Sequence, residues 1–383
     1  MNSVVTSNPA AAAFDRWLIT CICVLCCVGL LAIASASVDY AETTYGWAWY
    51  HAMKHAIYLC IATLAAALVY QIPPRFWDGT SWIWLLIAIA LLVVVLIPGV
   101  GREVNGAQRW IPLVIVNLQP SEVAKAALVL FLASYLRRRE DEVRESWTGF
   151  IKPLVILGIL SVLLLLEPDF GATVIVCGTA LGMLFLAGVR LMQFTIVALG
   201  LALIGVGMVA FAPYRLQRFL AYQDPWADPF NTGFQLTQSL IAFGRGELAG
   251  VGFGQSVQKL FYLPEAHTDF VFSIWAEETG FIGSIGLLFV FIALISRLLW
   301  WSRRALSVQR TFESHVFAGI ALMLSGQVFV SMGMSMGLLP TKGLTLPMIS
   351  FGGSSLIVTL CLLAIALRMT RECDKPEPRR PKS

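Results

Sequence analysis

The sequence predicts an all-α integral membrane protein of about ten transmembrane helices, with one long extracytoplasmic loop between the seventh and the eighth. Three observations carry this. First, 58% of the 383 residues are hydrophobic and 13% are charged, whereas soluble domains carry about a quarter charged residues. Second, apolar runs near the ~20 residues needed to cross a bilayer recur along the chain, at roughly 14–36, 51–71, 80–98, 120–136, 151–167, 171–188, 191–212, 270–299, 313–337 and 348–369. Third, with the N-terminus inside, eighteen of the 27 Lys and Arg residues fall on one side of the membrane, and the side rich in Lys and Arg is the cytoplasmic one. Both termini are then expected inside and the 213–268 loop outside. The net charge of +4 follows from this loop asymmetry and is no sign of a nucleic-acid partner.

Taken in order, residues 1–13 form a short cytoplasmic tail and 14–370 the membrane domain. The first apolar run is too long for a signal peptide and no small-residue cleavage site follows it, so it reads as a retained span. The 137–145 stretch mixes both charge signs and reads as a solvated connector. Within the long loop, Leu236, Leu240 and Phe243 recur at helical spacing while Gln235, Gln238 and Ser239 take the other side, which predicts a helix. The tail 371–383 is rich in Pro and basic residues, cannot pack a core and is expected to be disordered. Seven of the eight cysteines lie in apolar runs. The Cys23/Cys26 pair lacks a second ligand pair for zinc and reads as helix packing. No internal repeat of the kind that marks many transporters is visible.

The polar stretch 213–280 interrupts this apolar pattern and holds most candidates for chemistry. Asp269 opens the eighth apolar run, where a carboxylate serves equally as a proton acceptor or as a helix N-cap. Glu277 and Glu278 lie two turns further on, about 12 Å deeper. Acids at that depth face water or a partner, so they read as substrate-facing groups or as bundle-facing acids neutralised by hydrogen bonds. Glu122 and Lys125, at i,i+3 in the fourth span, form either a self-neutralising pair or a counter-ion for an anionic substrate. Arg109, Arg215 and Arg218 add cations on the same side. The glycine-rich 244–254 stretch lacks the Gly-Lys-Ser/Thr ending of a P-loop and lies outside, which excludes a nucleotide site, and Gly250, Gly252 and Gly254 read as tight turns. Residues 337–355 combine Pro340, Lys342 and Pro347 with small residues that let helices approach closely.

These stretches carry a resemblance. Leu263-Pro-Glu-Ala-His-Thr-Asp-Phe270 with Ala276-Glu-Glu-Thr-Gly280, Gly337-Leu-Leu-Pro-Thr-Lys-Gly-Leu-Thr-Leu-Pro347 with Ser350-Phe-Gly-Gly-Ser-Ser355, Glu167-Pro-Asp-Phe-Gly171 and Ala34-Ser-Ala-Ser37 resemble the SEDS family of shape, elongation, division and sporulation proteins. The 340–347 segment is more similar to the division branch than to the elongation branch. Phe351 and Ser331 stand where the family would have Tyr and Asn. The resemblance implies a peptidoglycan glycosyltransferase that polymerises lipid II outside the bacterial cytoplasmic membrane, at the division septum. It places the catalytic aspartate at Asp269. Around it, Arg109, Glu122, Lys125, Arg215, Arg218, Gln238, Lys259, His267, Thr268, Glu277 and Lys342 are the expected substrate-binding residues. No metal ligands are assigned, although a divalent cation, Mg or Mn, would serve beside arginine and lysine to neutralise the departing pyrophosphate. Implied partners are a class B penicillin-binding protein transpeptidase and other divisome membrane proteins. Two other readings stay open from the residues: a lipid II flippase, and a scaffold that recruits a transpeptidase.

Overall fold

The computed structural model describes residues 15–104, 107–113, 116–341 and 343–374. It is helical throughout its apolar sequence: α1 (Arg16–Tyr45), α2 (Tyr50–Gln71), α3 (Pro74–Val95), α4 (Pro120–Arg138), α5 (Glu140–Glu145), α6 (Trp147–Leu166), α7 (Phe170–Leu186), α8 (Leu191–Ala210), α9 (Pro213–Gln223), α10 (Phe234–Gly246), α11 (Val271–Ser307), α12 (Thr311–Ser335) and α13 (Gly353–Cys373). Each of the ten apolar runs contains a helix, although the last, expected from 348, becomes helical only at Gly353. Eight of them, α1, α2, α3, α6, α8, α11, α12 and α13, are long and apolar enough to span a membrane. The apolar α7 is shorter, and α4 carries Glu122 and Lys125 near one end and Arg137 and Arg138 at the other.

Burial sorts these helices into a centre and a periphery. The apolar windows of α12 and α13 are 72% buried, while that of α8 is 6% buried and faces outward along nearly its whole length. Leu128, Leu132 and Leu136 of α4 and Phe317 of α12 lie in the core without exposure. Around them α2 packs on α13, α11 on α12, α3 on α4 and α1 on α11. Asp15 shows how the ends are tied. Its carboxylate caps α1 by accepting from Leu18 N at 3.1 Å and also takes a hydrogen bond from Arg297 Nε at 2.6 Å and one from Trp301 Nε1. The start of α1 is thereby pinned to the far part of α11.

Several boundaries differ from the sequence reading. Helix α1 runs well past residue 36, because Asp39, Glu42 and Thr43 continue it until Gly46, in the left-handed region (φ 68°), caps it. Helix α13 extends through Cys373, its last turn tied by Glu372 to Arg310 at 3.3 Å and to Arg368 at 3.5 Å, so the tail begins later than expected. The rest of that tail, 375–383, lies outside the described residues. Between α3 and α4 the chain makes a small antiparallel meander of β1 (Arg102–Val104), β2 (Ala107–Pro112) and β3 (Asn117–Leu118), too short for an alternating pattern to reveal. The 137–145 connector contains α5, laced by ion pairs of Glu142 with Arg139 and Lys152 and of Glu140 with Arg144.

The 213–268 loop holds the expected helix as α10, preceded by α9, which starts on Pro213. The side chains of Arg215 and Arg218 on α9 lie outside the described set. Beyond α10 the chain folds against α11 at a break. Gly280 has φ 68° and ψ −164°, which no helix accommodates. The freed backbone groups are taken up by the loop: Val251 N donates to Glu277 O (3.0 Å), Gly252 N to Glu278 O (3.1 Å), Phe281 N to Glu247 O (2.9 Å) and Ile282 N to Leu248 O (3.1 Å). A broken helix among apolar elements is tolerated where protein satisfies its backbone. The contact requires glycine, because a Cβ at Gly246 would come within 2.2 Å of Ala276 O and one at Gly250 within 2.1 Å of Glu278 O. The glycine-rich stretch is thus both a run of turns, with Gly250, Gly252 and Gly254 at positive φ, and the surface by which the loop meets the helix.

Candidate active site

Asp269 lies half-buried in the turn before α11. That helix starts at Val271, and its N-cap Phe270 makes no side-chain cap. The N-cap alternative for Asp269 is therefore corrected: the 265–270 turn, closed by Thr268 N and Phe270 N on Glu265 O at 3.1 and 3.3 Å, leaves the aspartate one residue outside the cap. Its carboxylate instead meets the 337–355 segment, where a Cβ added to Gly343 would stand 3.3 Å from Asp269 Oδ2. Two residues earlier, His267 O accepts from Phe351 N at 3.0 Å. Motifs about 80 residues apart in the chain thus form one edge.

The 343–355 stretch is the hub of this end of the bundle. Leu344 packs on Gly171 of the Glu167–Gly171 motif, Ser354 Oγ accepts from Gln119 N at 3.0 Å just before α4, Met348 O packs against Gly29 of α1, and Gly353 packs on Tyr58 of α2. Aromatic rings close the side nearest α1. His267 stacks on Tyr40 at 5.2 Å between ring centroids and lies 4.7 Å from His51 and 5.9 Å from Phe351. Burial holds the His267 imidazole below its ordinary range, against the opposing pull of Glu265. It is neutral at pH 7, which leaves Asp269 without a cationic histidine two residues away.

The other expected residues sort by what they touch. Glu122 and Lys125 form a buried ion pair, 2.9 Å apart, in which Lys125 Nζ makes no aligned hydrogen bond among the described residues. Thr268 donates to Glu265 Oε2 at 2.7 Å, and Gln238 is half-buried on α10. Arg109 spans to the α6–α7 turn, donating to Glu167 O at 3.0 Å and Pro168 O at 2.5 Å. Lys342 lies outside the described residues. Glu277 takes the bundle-facing alternative: fully buried, it accepts from Arg245 Nη1 at 2.7 Å, from Ser256 Oγ, and from Val257 N and Gln258 N at 3.1 and 3.3 Å. Glu278 accepts from Ser35 Oγ and stands 3.5 Å from Lys259 Nζ, which also donates to Gly254 O at 2.7 Å. Glu277, Glu278 and Lys259 anchor the loop to α11 and α1. Arg245, Ser256 and Ser35 complete the anchor; of these the sequence marks Ser35 only as part of the Ala34–Ser37 motif and the other two only as a cation and a small polar residue.

Glu167 is fully buried, with no hydrogen bond to either carboxylate oxygen among the described residues. Burial pushes its carboxyl up to about 8, the Asp169 charge adds to this and Arg109 opposes it. It is therefore protonated in the folded protein at neutral pH. The folded state binds a proton that the unfolded chain releases near pH 4.5, so the stability from this group is complete below that pH and is lost as pH rises through about 8. Glu167→Gln should remove this term, making melting temperature less dependent on pH between 5 and 8 than in the parent protein. Equal pH slopes for the two proteins would exclude a protonated Glu167.

The polytopic helical bundle carries a half-buried carboxylate, Asp269, on the edge it forms with residues 343–355, and a broken helix clasped by its own loop, an arrangement of the kind a membrane-embedded enzyme presents. The family profile described as "Cell cycle protein", FTSW_RODA_SPOVE, matches residues 15–375. The chain belongs to this FtsW/RodA/SpoVE family. It is 48% identical over 376 residues to the probable peptidoglycan glycosyltransferase FtsW of Hahella chejuensis, covering 97% of this chain and 94% of the relative. To the protein of the same name from Coxiella burnetii it is 46% identical over 362 residues, covering 94% and 97%. Among solved structures, it is similar to a chain from a study of the structural coordination of polymerization and crosslinking by a peptidoglycan synthase complex, with a TM-score of 0.77, 32% identity and coverage of 95% of this chain and 99% of that one. The rod shape determining protein RodA of Thermus thermophilus superposes with a TM-score of 0.70 at 28% identity, over 96% of this chain and 100% of RodA.

Proposed function

We propose that this chain is a peptidoglycan glycosyltransferase that polymerises lipid II at the outer face of the cytoplasmic membrane during septal wall synthesis. The observation that carries the assignment of roles is the meeting of Asp269 with the 343–355 hub, at the end of the bundle where α4 also begins. The acceptor sugar's 4-hydroxyl attacks the anomeric carbon of the donor. Its proton passes to the Asp269 carboxylate as the new C–O bond forms, and the bond from the anomeric carbon to the lipid pyrophosphate breaks with its electron pair leaving on phosphate. Lys125 is the cation we assign to that phosphate, because its ammonium is paired by charge to Glu122 yet keeps unaligned donors. Among the described residues no three His, Cys, Asp or Glu side chains come together as a metal cage. A class B penicillin-binding protein is the proposed crosslinking partner.

The test is purified full-length protein, with and without that transpeptidase, supplied with labelled lipid II in vesicles. Glycan ladders are expected. Lipid scrambling without ladders would make it a flippase, and neither activity would leave a scaffold.

Orientation has its own test. With both termini inside, a cysteine at Thr232, at the foot of α10, should react with a membrane-impermeant thiol reagent in intact cells. Labelling only after lysis would reverse the topology.

A further inference from the structure

A cavity of about 500 Å³ lies between α1 and the loop that follows α10, lined by Ala34, Ser35, Val38, Asp39, Trp49 and residues 253–257, 259 and 260. Its size is that of a small-molecule site. Asp269, His267 and residues 337–355 do not line it. Tyr40, turned about 100° from Asp39 on the same helix, stacks on His267.

Its charges are unequally matched. Lys259 is occupied, close to Glu278 and bonded to Gly254 O. Asp39 is half-buried and lines the cavity, and its carboxylate makes no hydrogen bond or ion pair among the described residues. The uncompensated charge is therefore negative, and the lining includes two half-exposed aromatic residues, Trp49 and Phe253, a residue type that attracts cations. The height is set by α1. Asp39 lies 23 residues beyond Arg16, about 35 Å along the helix, and a hydrocarbon core is about 30 Å thick. An α1 that crosses the hydrocarbon core from Arg16 carries Asp39 past its far edge, to the headgroup layer.

We infer that this cavity is a binding site for a primary ammonium group carried by an amphiphile at the membrane surface, with Asp39 as its counter-ion and Trp49 and Phe253 as its walls. Two sources offer that chemistry at this level: the headgroup of an aminophospholipid, and the free amine on the peptide of a lipid-linked wall precursor. Only the second rests on the polymerase reading, so the experiment reads binding and not turnover.

Full-length protein in nanodiscs of zwitterionic choline lipid is titrated with short-chain phosphatidylethanolamine in one arm and with the soluble amine-bearing stem peptide in the other. Each is compared with its N-acetylated form. One of the two amines should bind about tenfold more tightly than its acetylated form, as expected for a charge-assisted pair, and that arm identifies the source. Asp39→Asn should erase the preference. Trp49→Ala, on the link after α1, should weaken amine binding while the preference for amine over amide persists. Equal binding of amine and amide in both arms, or an Asp39→Asn protein that keeps the preference, would overturn the site. Either result is readable whether or not the protein makes glycan.

Discussion

Asp269→Asn is expected to insert, fold and bind lipid II while making glycan at 10²–10⁴-fold lower rate or below detection, the range spanned by general acid–base groups. The substitution keeps the shape of the side chain and removes the proton acceptor. Phe270 and not Asp269 stands at the N-cap of α11, so the comparison with Asp269→Asn reads the loss of the carboxylate and not of a helix cap. The surroundings favour a carboxylate that works by position: a half-buried side chain against the Gly343 backbone, with His267 held neutral by burial. Melting temperature in detergent and the yield of labelled glycan separate folding from chemistry. Near-normal polymerisation by a folded Asp269→Asn protein would end the assignment.

Glu277→Ala is expected to be the most destabilising single change at this end of the molecule, by about 3 kcal/mol or more, as for a buried charged pair that loses one partner. The loss leaves the Ser256 hydroxyl and the Val257 and Gln258 amides without their acceptor. Arg245, 43% exposed, can turn to water and so contributes the smaller part. Glu277→Gln keeps an acceptor for those donors and should recover part of the stability. The readouts are the thermal midpoint and protease cleavage within 247–260, which should appear in Glu277→Ala at temperatures where the parent is resistant. An unchanged midpoint and an uncut loop would show that the backbone exchange around Gly280 holds the loop without the acid.

The periodicity and length of the apolar runs were enough to determine the helices, because a chain in lipid must satisfy its own backbone and has few alternatives to a helix. The placement of α10 followed as directly from Leu236, Leu240 and Phe243. Motif order also marked Asp269 and the 337–355 segment as the working parts. Local sequence could not say how those parts meet. Asp269 reads as a proton acceptor or an N-cap until the 265–270 turn shows the helix starting at Val271, and Glu277 and Glu278 read as substrate-facing or bundle-facing acids until residues 245–259 are seen to hold them. A helical period places a residue on a face, but what lies opposite is decided by chain tens of residues away. Glycines at 246, 250 and 280 let the returning loop come within backbone contact of a broken helix. That close approach turns two costly buried acids into anchors and leaves Asp269 at the edge shared with Gly343.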